Sequence, residues 1–279
     1  MDRTAVTHPL IDTFGASDVG RERSANEDGF VVAALEKRLE VRATSIEEDG
    51  ILTPLLHSTA HLLMVADGVA KSRGGRLASG TAVTSLVSHL SETVGCYYSF
   101  AVDEETAFLD QLERAVRQAD ARVREKGGAT TMTLVLLLWP RAYIVHAGDS
   151  RGYYLRRGRL RQFTRDQSMA DLLVDQGVLT EEQARKAGYD RVLGSALGSD
   201  LTLSVALLDL EPGDVLLLCT DGLTRHVSDS AIAGLLQEGG GARETCGELI
   251  AAALAAGGAD NVTVIVARTG PAQAAAAAR

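Results

Sequence analysis

Four aspartates in this sequence stand beside a glycine or an asparagine at one end of an apolar run. Asp67-Gly68 closes Leu62-Leu63-Met64-Val65-Ala66, and Asp221-Gly222 closes Val215-Leu216-Leu217-Leu218-Cys219-Thr220. Gly148-Asp149 follows Tyr143-Ile144-Val145-His146-Ala147, and Asp260-Asn261 precedes Val262-Thr263-Val264-Ile265-Val266. Runs this short and this apolar read as strands buried on both faces. A single Asp-Gly is an ordinary turn dipeptide; its recurrence is what carries weight. In an antiparallel sheet the start of one strand lies beside the end of its neighbour, so carboxylates far apart in sequence can meet at one rim. Clustered acids repel unless cations neutralise them, and a metal site is the economical reading.

The elements that must position these acids are mostly strands. Residues 11–17 and 29–34 read as the first two, joined by Asp18-Val19-Gly20-Arg21-Glu22-Arg23-Ser24-Ala25-Asn26-Glu27-Asp28, which is too polar for a core. Local signals favour a solvated hairpin loop there over one that delivers Arg23, Glu27 and Asp28 to the site. Residues 36–61 are irregular, an extra hairpin or an exposed loop. Lys71-Ser72-Arg73-Gly74-Gly75-Arg76 leads into a helix over 77–94 and lacks the Gly-Lys-Ser/Thr of a Walker A loop. Phe108, Leu112, Ala115, Val116, Ala119 and Val123 recur at helical spacing over 104–126, and Gly127-Gly128 ends that helix. Residues 130–138, 141–147 and 150–156 form an antiparallel meander in which His146 is read as structural. Helical signals return over 166–189, with a capping box at Thr180-Glu181-Glu182-Gln183. This polar piece interrupts the strand series, and a lid over 166–191 is expected. Strands at 201–208, 215–220 and 262–268 and helices at 228–238 and 243–256 complete the count. The expected class is α+β: a four-layer α-β-β-α sandwich of two packed, mainly antiparallel sheets flanked by helices. One catalytic domain is expected over 1–270, with an Ala-rich, frayed tail over 271–279.

At 279 residues the chain suits one large domain or two small ones. No stretch reaches the roughly eighteen uninterrupted apolar residues of a membrane span, and residues 1–10 carry Asp2, Arg3 and His8 without the apolar run of a signal peptide. Cys96, Cys219 and Cys246 form no disulfide or zinc pattern, so a reducing cytoplasm is expected. A net charge of −9 argues against nucleic-acid or anionic-membrane binding. An acidic protein that handles phosphate must do so with metals or individual arginines.

In order, the chain carries Ser17-Asp18-Val19-Gly20, Arg23-Ser24-Ala25-Asn26-Glu27-Asp28, Val65-Ala66-Asp67-Gly68, Gly128-Ala129-Thr130-Thr131, Gly148-Asp149-Ser150-Arg151, Thr164-Arg165-Asp166, Ala196-Leu197-Gly198, Cys219-Thr220-Asp221-Gly222-Leu223 and Asp260-Asn261-Val262-Thr263. This set resembles the metal-dependent protein phosphatases of the protein phosphatase 2C type over residues 12–268, and the compact bacterial members most. The resemblance implies packed antiparallel sheets with helices outside, as the element count does. It implies that Asp67 bridges two Mn²⁺ or Mg²⁺ ions, that the Gly68 carbonyl completes the second site, and that Asp221 and Asp260 hold the first. Glu27 and Asp28 would act mostly through metal-bound waters, Asp149 matches the acid of a weaker third ion in bacterial relatives, and Arg23 would grip the substrate phosphate. Departures are local. Val69-Ala70-Lys71-Ser72 and Gly75-Arg76 replace a glycine-rich piece with a histidine and a Gly-Glu, Gln167 stands where a histidine is usual, and Ser195 where an arginine often is. Val69 excludes the acid that some eukaryotic members carry there, and Asp190 or Arg191 falls where a lid ligand to the third ion is often supplied.

The residue types suit that chemistry. Carboxylate-and-water ligation selects hard cations over zinc, and two such ions can ready a water for in-line attack on phosphorus. The planar guanidinium of Arg23 matches phosphate, and no cysteine is placed to form a phosphoenzyme. The expected function is a monomeric serine/threonine phosphoprotein phosphatase that opposes a bacterial serine/threonine kinase on that kinase and its substrates. The alternative is a catalytically weak phosphoprotein-binding module on the same fold, motivated by the altered loop after Gly68. A two-metal nuclease is disfavoured by the acidic charge and the lack of a basic groove pattern.

Overall fold

The structure is a computed structural model that describes residues 10–38, 57–69, 74–93, 102–189, 192–238 and 240–270. Outside the described residues lie most of the irregular 36–61 segment, Lys71-Ser72-Arg73, Cys96, the lid positions Asp190 and Arg191, and the tail.

Two five-stranded sheets form the middle of the molecule, and every strand pair in them is antiparallel. The first runs in the order β1 (Ile11–Asp18), β12 (Val262–Thr269), β11 (Val215–Cys219), β8 (Arg151–Arg156), β9 (Arg159–Gln162). The second runs β10 (Ser204–Asp209), β7 (Arg141–Ala147), β6 (Met132–Leu138), β3 (His57–Ala66), β2 (Gly29–Arg38). A two-stranded ribbon of β4 (Gly68–Val69) and β5 (Ala129–Thr130) continues past the end of β3.

The unbroken apolar runs follow from this layering. Successive side chains of a strand point to opposite faces, and here both faces are covered. Leu63 and Val65 of β3 enter the layer between the sheets with Val135, Ile144, Leu216, Leu218 and Ile265. Leu62, Met64 and Ala66 face outward onto α1 (Gly75–Thr93) and α2 (Val102–Lys126), where Leu86, Leu112 and Val116 meet them. On the far side Leu217, Cys219, Val264 and Val266 pack beneath α6 (Asp229–Gln237) and α7 (Ala242–Ala255) through Ile232, Leu236 and Leu249. The result is the expected α-β-β-α stack.

Several elements differ from the sequence expectation. Strand β9 is absent from it, because Arg159 and Arg161 leave only Leu160 as an apolar signal; charged residues suit an edge strand, where they discourage pairing with another chain. Both ends of the irregular 36–61 segment belong to β2 and β3, which pair without interruption from Gly29↔Ala66 to Arg38↔His57. Asp221-Gly222 opens a short helix, α5 (Asp221–Thr224), in place of a turn. The helical signals at 166–189 become α3 (Met169–Asp175) and α4 (Glu181–Lys186), each opened by a capping box, Ser168/Asp171 and the anticipated Thr180/Gln183. Among the described residues no helix is long and apolar enough to cross a membrane.

Candidate active site

Asp67 stands just past the end of β3, and its main chain is held by a pair of threonines. The Asp67 N–H donates to Thr131 Oγ1 at 2.9 Å, while the Thr131 N–H and the Thr130 hydroxyl each donate to the Asp67 carbonyl at 2.9 Å. Thr131 Oγ1 also bonds Ser150 Oγ at 2.7 Å, which ties Asp67 to the Gly148-Asp149-Ser150 turn. Gly68 is required by its surroundings: a Cβ there would lie 2.3 Å from the Gly75 carbonyl oxygen and 2.6 Å from that of Glu27. Gly222 is as constrained, since its Cβ would meet the Asn261 carbonyl oxygen at 1.9 Å. Only glycine lets α5 abut the Asp260-Asn261 turn and so brings Asp221 and Asp260 to one place.

The polar segment 18–28 is no detached loop. Asn261 Oδ1 accepts from the Glu27 N–H at 2.9 Å, and Asn261 Nδ2 donates to the carbonyls of Val19 and Ala25 at 2.8 and 3.0 Å. Asn26 Nδ2 donates to Ser17 Oγ at 2.7 Å and its Oδ1 accepts from the Asp28 N–H at 3.1 Å. These bonds deliver Arg23 to Asp260, where Nη2 donates to Oδ2 at 2.7 Å. They also bring Asp28 between β11 and β12, where Thr220 and Thr263 donate to its Oδ2 at 2.9 and 2.6 Å. The delivery reading is the one the structure realises.

Carboxylate oxygens of Asp67, Asp149 and Asp221 all lie within 4.8 Å of one another. Glu27, Gly68 and Asp260 line the same cavity of about 180 Å³, with Arg23 and Arg225 at its edge. Every candidate residue except Asp28 lines it, and Asp28 acts on it through charge. Burial pushes Asp67 well above the usual carboxylate range, and Asp28, Asp221, Asp149 and Asp260 push it further. Burial likewise raises Asp149 to about 7, with Asp221 adding to the rise and Arg225 opposing it. Asp28 is raised to about 6 by burial against the lowering effect of its two threonines. Asp28 Oδ1 and Asp221 Oδ1 are buried and have no hydrogen-bond partner among the described residues. Oxygen-only donors, mutual repulsion and two unpartnered buried oxygens fit hard divalent cations.

The departures noted in the sequence make good local contacts. Gln167 Oε1 accepts from the Gly148 N–H at 3.0 Å and its Nε2 donates to Ser204 Oγ at 2.9 Å, bracing the turn that carries Asp149. Ser195 Oγ donates to the Thr202 carbonyl and accepts from the Thr202 N–H. His146 is buried between Thr133 and the Arg165 carbonyl, the structural role expected of it. Sequence reasoning missed the clamp role of Asn261, the threonine donors to Asp28, and Arg225 altogether. The signal for Arg225 was its position one helical turn after Asp221.

The two-sheet sandwich gathers acids from four strand ends at a shared rim, the oxygen-only donor set of a protein built to hold hard cations, and sequence comparison gives the family. The chain belongs to the protein phosphatase 2C family, whose profile (Protein phosphatase 2C) matches residues 42–239. It is 36% identical over 245 residues to the serine/threonine protein phosphatase PstP of Mycobacterium tuberculosis, covering 84% of this chain and 44% of that protein, so the chain spans less than half of this relative's length. The crystal structure of the Mycobacterium tuberculosis phosphatase PstP/Ppp superposes with a TM-score of 0.71 at 30% identity, covering 93% of this chain and 99% of that one. A further crystal structure, the catalytic domain of PstP in complex with two manganese ions, gives a TM-score of 0.69 at 31% identity and covers 93% and 98%.

Proposed function

We propose that this chain is a metal-dependent phosphatase that removes phosphate from phosphoserine and phosphothreonine in proteins. The observation that carries the reading is the acid cluster, with its two unpartnered buried oxygens, set beside the exposed guanidinium of Arg23. Asp67, Asp221 and Asp260 would hold two Mn²⁺ or Mg²⁺ ions with the Gly68 carbonyl, Glu27 and Asp28 would hold their waters, and Asp149 would serve a third. Such ions, when bound, supply Lewis acidity for in-line attack of water on phosphorus. The chain's own contribution is placement. Thr130, Thr131 and Ser150 fix Asp67, Thr220 and Thr263 orient Asp28, and Asn261 holds the segment that presents Arg23. Arg23, released from Asp260, would take the phosphate oxygens in a planar fork. Substrates would be the products of a serine/threonine kinase, and α3 and α4 with their flanks would act as the lid.

The retained acids and unpartnered oxygens favour catalysis over a binding module, because a module has no use for a buried repulsive cluster. Purified protein with Mn²⁺ should hydrolyse a phosphothreonine peptide, and chelator or Asp67→Ala should abolish turnover. Turnover that survives either treatment contradicts the proposal.

A further inference from the structure

Arg225 follows α5 and touches two acids of the cluster. Its guanidinium pairs with Asp221 Oδ2 through Nη2, and Nη1 lies 3.5 Å from Asp260 Oδ2. An arginine one turn from an aspartate on a helix is ordinarily a surface pair of little consequence. Here one acid is a largely buried member of the candidate cation site, and the second comes from a separate strand end. Asp260 Oδ2 therefore lies within reach of two guanidiniums, those of Arg23 and Arg225. Arg225 also lines both the 180 Å³ acid cavity and a neighbouring cleft of about 650 Å³, so its side chain, half exposed, has room to leave the acids. Resting on the phosphatase reading, the role of Arg225 concerns the ions rather than the phosphate.

We infer that Arg225 is a positioning residue that acts as an internal counter-cation: it holds Asp221 and Asp260 together in the metal-free protein, and a divalent ion must displace it. Without ions, the carboxylates of Asp67, Asp149 and Asp221 lie within 4.8 Å of one another with Asp260 lining the same cavity, and two arginines offset the repulsion among them. An ion drawn to Asp221 meets an oxygen already engaged and a positive charge that opposes its approach. Arg225 thus keeps the empty site folded and lowers the site's affinity for metal, two effects of one contact.

The test is Mn²⁺ titration calorimetry near neutral pH on the EDTA-stripped chain, comparing wild type, R225Q and R225K, together with melting temperatures with and without Mn²⁺. R225Q should bind Mn²⁺ about fivefold tighter, the factor that corresponds to one half-exposed ion pair. Its metal-free melting temperature should fall while the Mn²⁺-saturated value stays at that of wild type. R225K keeps the charge and should fall between the two. A merely structural arginine would leave affinity unchanged or weaken it, and either result for R225Q overturns the inference. Should stripped R225Q unfold, chelator titration of the loaded protein reads the affinity instead; R225Q should need more EDTA than wild type, and an equal or smaller need overturns it. Wild type that takes up no Mn²⁺ refutes the phosphatase reading itself, whereas normal uptake unchanged by R225Q refutes only the role of Arg225.

Discussion

Replacing Asp28 by asparagine should stabilise the metal-free protein while destroying its use. Asp28 Oδ2 takes hydrogen bonds from Thr220 and Thr263, and an asparagine carbonyl accepts both in the same place. The buried, unpartnered Oδ1 becomes an amide that no longer repels the neighbouring acids. Burial, only partly offset by the two threonines and reinforced by Asp221 and Asp260, raises Asp28 from an ordinary 3.8 to about 6. That rise corresponds to about 3 kcal/mol of folding stability. The sign follows from a value that is higher folded than unfolded: the stability is fully present below about pH 4, declines as the pH rises, and is lost once it has passed about 6. Urea denaturation in EDTA should therefore find Asp28→Asn more stable than wild type by about 3 kcal/mol near pH 7, with the gap closing toward pH 4. Comparing the two proteins at each pH cancels the opposite effect of the half-buried His61 and the buried His146, whose lowered values make stability rise with pH. Saturating Mn²⁺ should reverse the order near pH 7, because wild type gains binding energy that the variant lacks. A variant less stable than wild type at neutral pH without metal, or a gap that does not change with pH, refutes the electrostatic reasoning.

Other substitutions probe the scaffold and the substrate handle. Gly222→Ala forces a Cβ against the Asn261 carbonyl oxygen and should cost about 1–3 kcal/mol in urea denaturation and weaken Mn²⁺ uptake in calorimetry. Thr131→Val strips the acceptor from the Asp67 N–H and the partner from Ser150; it should cost about 1–3 kcal/mol and lower kcat, with Thr131→Ser restoring much of both. Arg23→Lys keeps the charge but loses the fork, so KM for a phosphothreonine peptide should rise about tenfold with Mn²⁺ affinity little changed.

The parts legible in the sequence are those whose cause is local. The runs at Leu62 to Ala66 and Val215 to Cys219 are apolar throughout because each strand meets the other sheet on one face and helices on the other. The acid-glycine endings mark where those strands leave the core. Segment 18–28 was misleading because its order comes from Asn261, a residue remote in the chain, and nothing in the segment's own polarity records that clamp. Strand β9 hid behind arginines that suit an edge. Arg225 escaped notice because an arginine after a helical aspartate is commonplace; only the convergence of Asp260 on the same guanidinium gives it meaning. The threonines that hold Asp28 and Asp67 stood in the quoted motifs, yet a hydroxyl's partner is visible only once the strands are paired.

Anomalous diffraction from crystals soaked in Mn²⁺ tests the central claim most directly. Two manganese peaks should appear in the 180 Å³ cavity, both touching Asp67, with Asp221 and Asp260 on one of them. Peaks remote from Asp67, or a cavity that stays free of manganese with Arg23 and Arg225 still paired to its acids, would contradict the account.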